Sequence, residues 1–101
     1  MDTFAAVADP TRREIIEFLG SGSLDAGSIA ARFDISQPAI SRHLRVLREA
    51  RVVEMKTAGQ RRIYRLSPDG LADLEEWVDR YRTFWAGRLD ELAHVAEEED
   101  R

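Results

Sequence analysis

Two helical patterns in the first half of the chain lie so close together that they leave few folds open. The first runs from about residue 25 to Phe33 and places Ile29 on the face of Phe33, because residues four apart are neighbours on a helix. The second begins after Ser36, a good N-cap that is followed by Pro38 in the first turn. Two helices joined by a link of about three or four residues predict a helix-turn-helix over about residues 25–50.

Further helices are predicted before and after this pair. Residues 3–8 have the pattern of a short helix, and Asp9 with Pro10 begins a second helix that ends near Gly20. At the other end of the chain, Ser67 caps a long helix that runs from residue 68 to about residue 96. The long helix carries apolar and aromatic residues at helical spacing, which predicts a buried or paired face.

The segment between the helix pair and the long helix has the character of strands. Val52–Met55 and Ile63–Leu66 are short and rich in β-branched and aromatic residues. Gly59 lies between them as the turn residue, so we expect a β-hairpin over about residues 52–66. The complete order predicts one domain over residues 1–101, mainly α with a small β-hairpin wing, which is a winged helix-turn-helix.

The small size of the predicted core favours a dimer. Cores of this size are often reinforced by disulfides, bound metals or oligomerisation. The chain has no cysteine, which excludes disulfides and thiolate metal sites. Oligomerisation is therefore the reinforcement that we expect.

Positive charge is concentrated in the middle of an acidic chain. The net charge is −4, yet residues 34–66 hold eight basic and three acidic residues, giving +5. Residues 1–33 carry −2 and residues 67–101 carry −7. This distribution indicates one surface that meets a polyanion and another that faces elsewhere.

The second helix of the pair presents side chains suited to base edges. A helical projection puts Ile40, Leu44 and Leu47 on the inner face. On the outer side, arginine donates two hydrogen bonds to guanine, glutamine pairs with adenine and serine serves either, while later arginines reach phosphates. The alternative is an amphipathic helix solvated by its arginines, although the adjoining turn and hairpin favour DNA. The predicted DNA contacts of this helix are Gln37, Pro38, Ala39, Ser41, Arg42, His43, Arg45 and Arg48.

The tip of the hairpin adds cations beside this helix. Flexible cations there can hold the DNA backbone or a neighbouring minor groove. The alternative is that they only protect a strand edge from aggregation. The predicted contacts are Lys56, Gly59, Gln60, Arg61 and Arg62.

Three segments resemble the ArsR family of bacterial winged helix-turn-helix repressors: residues 8–16, residues 31–50 and residues 62–71. The resemblance implies a homodimer that binds an imperfect inverted repeat in promoter DNA. Many members repress until a metal or another signal releases them, and here the inducer and the choice between repression and activation stay open. Dimerisation in the family uses the first and last helices, about residues 3–8 and 68–96. On these helices the chain carries Phe4, Val7, Leu71, Leu74, Val78, Tyr81 and Trp85.

The known metal sites of the family do not match this chain. The cysteine positions of the arsenic-type sensors correspond to Asp25 and Gly27. In the zinc-type pattern on the last helix, His94 and Glu97 fit the second half, whereas Tyr81 and Thr83 occupy the first half. We therefore expect no metal and no cofactor at these sites. His43 is expected to assist DNA contact or packing.

Arg51 is a further departure from the family pattern. The family usually has glycine at this position after the recognition helix, where a left-handed backbone is convenient. A non-glycine residue in that conformation costs about 1 kcal/mol. Either Arg51 adopts the strained conformation or the turn differs, and a phosphate contact from Arg51 is one possible compensation.

Other classes of function have weaker support. A winged-helix protein-interaction module is the alternative, because Trp77, Tyr81, Phe84 and Trp85 on the last helix offer a surface for a partner. An enzyme is not expected, since the chain shows no thiol, phosphate loop or acid–base pair. The sequence shows no export signal and no apolar run long enough to span a bilayer. We therefore expect no membrane partner and a cytoplasmic location, associated with the nucleoid through DNA.

Overall fold

Five helices and a small sheet make up the part of the chain that the structure describes. The computed structural model describes the backbone of residues 3–99 and the side chains of residues 3–84, 86–88 and 91–93. In chain order the elements are α1 (Thr3–Val7), α2 (Pro10–Leu19), β1 (Leu24–Asp25), α3 (Ala26–Ala30), α4 (Gln37–Glu49), β2 (Val53–Ala58), β3 (Arg61–Leu66) and α5 (Pro68–Glu99). This order confirms the predicted winged helix-turn-helix, with α3 and α4 as the helix pair and β2–β3 as the wing.

The predicted starts of α2 and α4 are confirmed by their caps. The Asp9 carboxylate accepts a hydrogen bond of 3.0 Å from the Arg12 backbone N–H. The Ser36 hydroxyl accepts one of 3.3 Å from the Ala39 N–H. Each cap satisfies one of the N–H groups that a helix start leaves without a partner.

The predicted end of the helix before the turn was wrong. α3 ends at Ala30, and residues 31–36 connect it to α4, so the link has six residues rather than three or four. Beyond Ala30 the chain turns more tightly, since Arg32 N–H donates to Ile29 and Phe33 N–H donates to Ala30. This turn leaves the Phe33 ring edge-on to Phe18, with 5.5 Å between centroids. The four-residue spacing of Ile29 and Phe33 was therefore misleading, because Phe33 lies in a turn that is not α-helical.

The sheet has a third strand that the sequence did not predict. The strand order is β1-β3-β2, and both pairings are antiparallel. β1 contributes only two residues, with Leu24 opposite Tyr64 and Asp25 opposite Ile63. A strand of two residues is too short to show an alternating pattern. β1 joins the start of α3 to β3, the middle strand of the sheet.

The core lies between α2, α3, α4 and the base of the wing. Its largest fully buried side chains are Ile15, Ile29, Ile40, Leu44, Leu47 and Val52. The three from α4 are those that the helical projection assigned to the inner face. Burial of each such side chain contributes roughly 1.5–3 kcal/mol.

Arg51 adopts the left-handed conformation in which the family usually has glycine. Its φ is 62°, and it directly follows Ala50, the last capping residue of α4. The Arg51 N–H donates to Arg48 and the Val52 N–H donates to Leu47, which is the hydrogen-bond pattern of a Schellman cap. Of the two outcomes left open by the sequence, the strained conformation at Arg51 is therefore the correct one.

The beginning of α5 rests on this cap. The Ser67 N–H donates to the Val52 carbonyl at 2.8 Å. Gly70 is buried, and a Cβ at its position would stand 1.8 Å from the Arg51 carbonyl oxygen. Only glycine therefore allows this close approach of the two backbones.

α5 is the longest element of the described chain. It has 32 residues, which corresponds to about 48 Å at roughly 1.5 Å per residue. Within the described residues, no helix combines the length and the apolar character needed to cross a membrane.

Replacement of Gly70 by alanine is expected to lower the free energy of unfolding by roughly 2–3 kcal/mol, because the new methyl group overlaps the Arg51 carbonyl. Gly87 on the same helix is the matched control, since a Cβ there meets nothing within 4 Å. Gly87→Ala should be neutral or stabilise by about 0.5–1 kcal/mol. Urea unfolding of both variants measures the difference, and equal midpoints would contradict the packing of Gly70.

Candidate nucleic-acid interface

The outer face of α4 is solvent-exposed and carries the predicted DNA contacts. Ala39 and His43 are half-buried on its flank. Ile40 and Leu44 fix the opposite face in the core. The remaining predicted residues are all exposed: Gln37, Pro38, Ser41, Arg42, Arg45 and Arg48.

The wing carries a second group of cations, and its strand β2 packs against α4. Ala58 pairs with Arg61 around a two-residue turn, and Gly59 has a φ of 64° there. A positive φ at the first turn residue is typical of hairpin turns and favours glycine. All five predicted wing residues are exposed: Lys56, Gly59, Gln60, Arg61 and Arg62.

Arg61, one of the predicted wing contacts, lies near an acidic residue. Arg61 Nη2 lies 3.8 Å from Asp25 Oδ1 at the start of α3. The hydrogen bond from the Ser28 hydroxyl, together with the charge of Arg61, lowers the pKa of Asp25. Asp25 is therefore ionised and forms a surface ion pair with Arg61, whose side chain is largely exposed.

A polar cluster that the sequence did not predict joins α1, α2 and α4. The guanidinium of Arg12 donates to the carbonyl oxygens of Ala6 at 2.6 Å and of Ala5 at 3.2 Å. Its Nη1 lies 3.3 Å from Nδ1 of His43, 31 positions further along the chain. Asp9 completes the cluster, with Oδ2 at 3.8 Å from the same Nδ1. No periodic pattern connects residues so far apart.

An apolar and aromatic face runs along α1 and α5. Four of its large side chains are exposed by 41–45%: Phe4, Trp77, Val78 and Tyr81. The rings of Phe4 and Trp77 meet edge-on at 5.9 Å between centroids, and Trp77 and Tyr81 are 5.1 Å apart. Of the other residues implied in dimerisation, Val7, Leu71 and Leu74 are half-buried, and the side chain of Trp85 lies outside the described residues.

Comparison with known proteins assigns the chain to a family. Residues 9–55 match the family described as bacterial regulatory protein, arsR family. The chain is 45% identical over 94 residues to the HTH-type transcriptional regulator Rv2034 of Mycobacterium tuberculosis, covering 93% of this chain and 85% of that relative. The chain belongs to the ArsR family.

Other relatives agree with this chain in sequence and structure. The transcriptional repressor SdpR of Bacillus subtilis is 42% identical over 77 residues, covering 76% of this chain and 86% of that relative. A crystal structure of a possible transcriptional regulator for arsenical resistance superposes with a TM-score of 0.77, at 43% identity and 96% coverage of both chains. These relatives are transcriptional regulators, not enzymes. The winged fold described above is accordingly that of a DNA-binding transcriptional regulator.

The two positions that the family resemblance relates to metal-binding cysteines, Asp25 and Gly27, lie at the start of α3. Asp25 binds Ser28 and Arg61, and Gly27 has no side chain. Among the described residues, no three His, Cys, Asp or Glu side chains form a group that could hold a metal ion. The side chains of His94 and Glu97 lie outside the described residues.

The Asp9 cap makes the stability of this protein depend on pH. Burial alone would raise the pKa of Asp9, but the Arg12 backbone N–H and the charges of His43 and Arg12 outweigh it, so the pKa lies below 3.8. Because the pKa of Asp9 is lower in the folded state, its ionised carboxylate stabilises the protein at any pH above the ordinary pKa of aspartate. This contribution is lost as the pH falls through the pKa of the folded state.

Asp9→Ala is therefore expected to lower the free energy of unfolding by about 1 kcal/mol at neutral pH. The difference from wild type should shrink as the pH falls below about 4, because the unfolded chain binds the proton first and the folded protein binds it at lower pH. Glu14→Ala, which removes an exposed carboxylate from the same helix, is the control. Denaturant unfolding across this pH range measures both, and a loss that stays constant down to about pH 2 would contradict the role of the Asp9 charge.

Proposed function

We propose that this protein is a homodimeric repressor that binds an inverted-repeat operator in promoter DNA. The observation that carries the proposal is the exposed outer face of α4, where glutamine, serine and arginine lie together beside a cationic wing. The repressor name of the Bacillus subtilis relative supports the direction of regulation. Such a protein acts at the nucleoid in the cytoplasm.

The proposed contacts divide into two classes by their chemistry. Gln37, Ser41 and Arg42 stand in the first turns of α4, where side chains reach base edges in a major groove. Arg45 and Arg48 lie further along the helix and are assigned to phosphates. The wing cations are assigned to phosphates or to the minor groove beside the recognition helix. The first class provides sequence preference and the second provides affinity.

The proposed dimer uses the apolar face of α1 and α5 against the same face of a second copy. Trp77, Val78 and Tyr81 are large side chains that a second copy would shield from water. A symmetric pair places two recognition helices on successive major grooves, about 34 Å apart. The C-terminal third, with its net charge of −7, then lies on the side away from DNA.

The proposed repressor responds to a signal other than a metal at the known ArsR sites. Asp25, Gly27, Tyr81 and Thr83 occupy the positions where the metal-sensing members have ligands. A tetrahedral site built from cysteine and histidine has no counterpart at these positions.

The deciding experiment is selection from a pool of duplex oligonucleotides with a random central region. We expect enrichment of an inverted repeat whose half-sites are centred roughly one helical turn apart. Sedimentation equilibrium should give a dimer both free and on the selected duplex. A monomer that enriches no sequence would overturn the proposal.

A protein-interaction module is a second candidate, supported by the exposed rings of Trp77 and Tyr81. In that case the same face receives a different protein rather than a second copy. Sedimentation separates the two, because the module stays monomeric when purified alone. A selective response to duplex DNA would exclude a role limited to protein binding.

Arg42→Ala is expected to weaken binding to the selected operator by roughly 1–3 kcal/mol and to relax preference at one base position in each half-site. The cause is loss of a guanidinium that pairs with a base edge. Gel-shift titrations against operators with single substitutions measure the effect. Unchanged affinity and unchanged base preference would refute this role of Arg42.

The double variant Arg61→Ala/Arg62→Ala is expected to weaken binding to operator and to scrambled duplex alike. It should also flatten the slope of log affinity against log salt by about 1–2, because fewer counterions are released from phosphates. Arg88, an exposed cation on α5, provides the control through Arg88→Ala. A slope equal to that of wild type would show that the wing does not hold phosphates.

A further inference from the structure

We propose that Arg12 is a positioning residue for DNA recognition: it fixes the orientation and tautomer of His43 on α4 and ties α4 to the end of α1. The inference rests on the proposed function, since it concerns how the recognition helix presents its side chains. Neither the family match nor the sequence pattern assigns a role in DNA recognition to α2, on which Arg12 lies.

The Arg12 side chain is held at three points. Its Nε and Nη2 donate to the carbonyl oxygens of Ala6 and Ala5 in the last turn of α1. Its third nitrogen, Nη1, meets His43 in the middle of α4. A planar guanidinium with five N–H donors can make these bonds at once, whereas an ammonium group cannot match that fork. Arg12 therefore links the first helix of the proposed dimer surface to the proposed recognition helix.

The contact also fixes which nitrogen of His43 carries the proton. A guanidinium only donates hydrogen bonds, so Nδ1 of His43, at 3.3 Å from Nη1, must accept. In the neutral imidazole the proton then resides on Nε2. Nε2–H is a donor, and phosphate oxygens accept such bonds.

The surroundings of His43 fit this role. Its side chain is 22% exposed and lines an open hollow with Arg12, Ala39, Arg42 and Val46. Arg42 is a proposed base contact, so a donor in the same hollow lies beside the DNA. Asp9 Oδ2, at 3.8 Å from Nδ1, is the competing partner. Without Arg12, an ionised Asp9 favours a proton on Nδ1, which converts Nε2 into an acceptor.

The first test measures affinity for the selected operator and for a scrambled duplex of equal length. Arg12→Ala and Arg12→Lys should weaken operator binding by roughly 5- to 30-fold. Arg13→Ala, which removes the same charge from the next, exposed residue, should change both duplexes equally and only slightly. In a His43→Ala background, Arg12→Ala should cause no additional loss, because the two side chains act as one unit. Thermal unfolding confirms that each variant is folded.

The second test reads the tautomer directly by long-range ¹H–¹⁵N NMR of His43 in its neutral form. We expect the proton on Nε2 in the wild type and a shift toward Nδ1 in Arg12→Ala. Wild-type affinity in Arg12→Lys, additive losses in the double variant, or an unchanged tautomer would each overturn the role of Arg12. A wild type that selects no sequence overturns the proposed function instead, so the two failures are distinguishable.

Discussion

The turn at Arg51 and Val52 is the contact on which the arrangement of the whole domain depends. Its amide groups close α4 through Leu47 and Arg48, and its Val52 carbonyl receives the Ser67 N–H. The end of α4, the approach to β2 and the start of α5 therefore meet at one backbone segment. Val52 is fully buried beneath them, which makes this junction part of the core as well as a connection.

The strain at Arg51 is tolerated because the contacts at this junction fix the backbone conformation there. A left-handed arginine costs about 1 kcal/mol, but the two cap bonds and the close contact with Gly70 leave the chain no other route. The glycine is thus at position 70, which packs against the cap, rather than at position 51 in the cap itself. The orientation of α5 relative to α4 is fixed in consequence, and in the proposed dimer this orientation would set the spacing of the two α4 helices.

Sequence reasoning was accurate where local chemistry decides the structure. The caps at Asp9 and Ser36, the inner face of α4 and the hairpin turn at Gly59 each depend on residues within a few positions of one another. It failed at the end of α3, where periodicity alone does not distinguish a helix from a tighter turn.

The parts that could not be predicted depend on distant residues. β1 has two residues and acquires its identity from its pairing with β3. The exposed residues of the candidate interface followed from the helical projection, whereas the bond between Arg12 and His43 depends on the packing of α2 against α4. No sequence pattern predicts such a contact, because it forms only once the two helices pack against each other.

The short reach of β1 divides the wing into two mechanically different parts. β1 supports β3 only at Ile63 and Tyr64, so the base of the wing is three strands wide. Beyond that point the pairs Thr57–Arg62 and Ala58–Arg61 form a ribbon of two strands. A narrow ribbon twists and bends more readily than a wider sheet. In the proposed complex with DNA, the cationic tip can thus follow duplexes of different groove width and curvature, while the wider base keeps the wing aligned with α4.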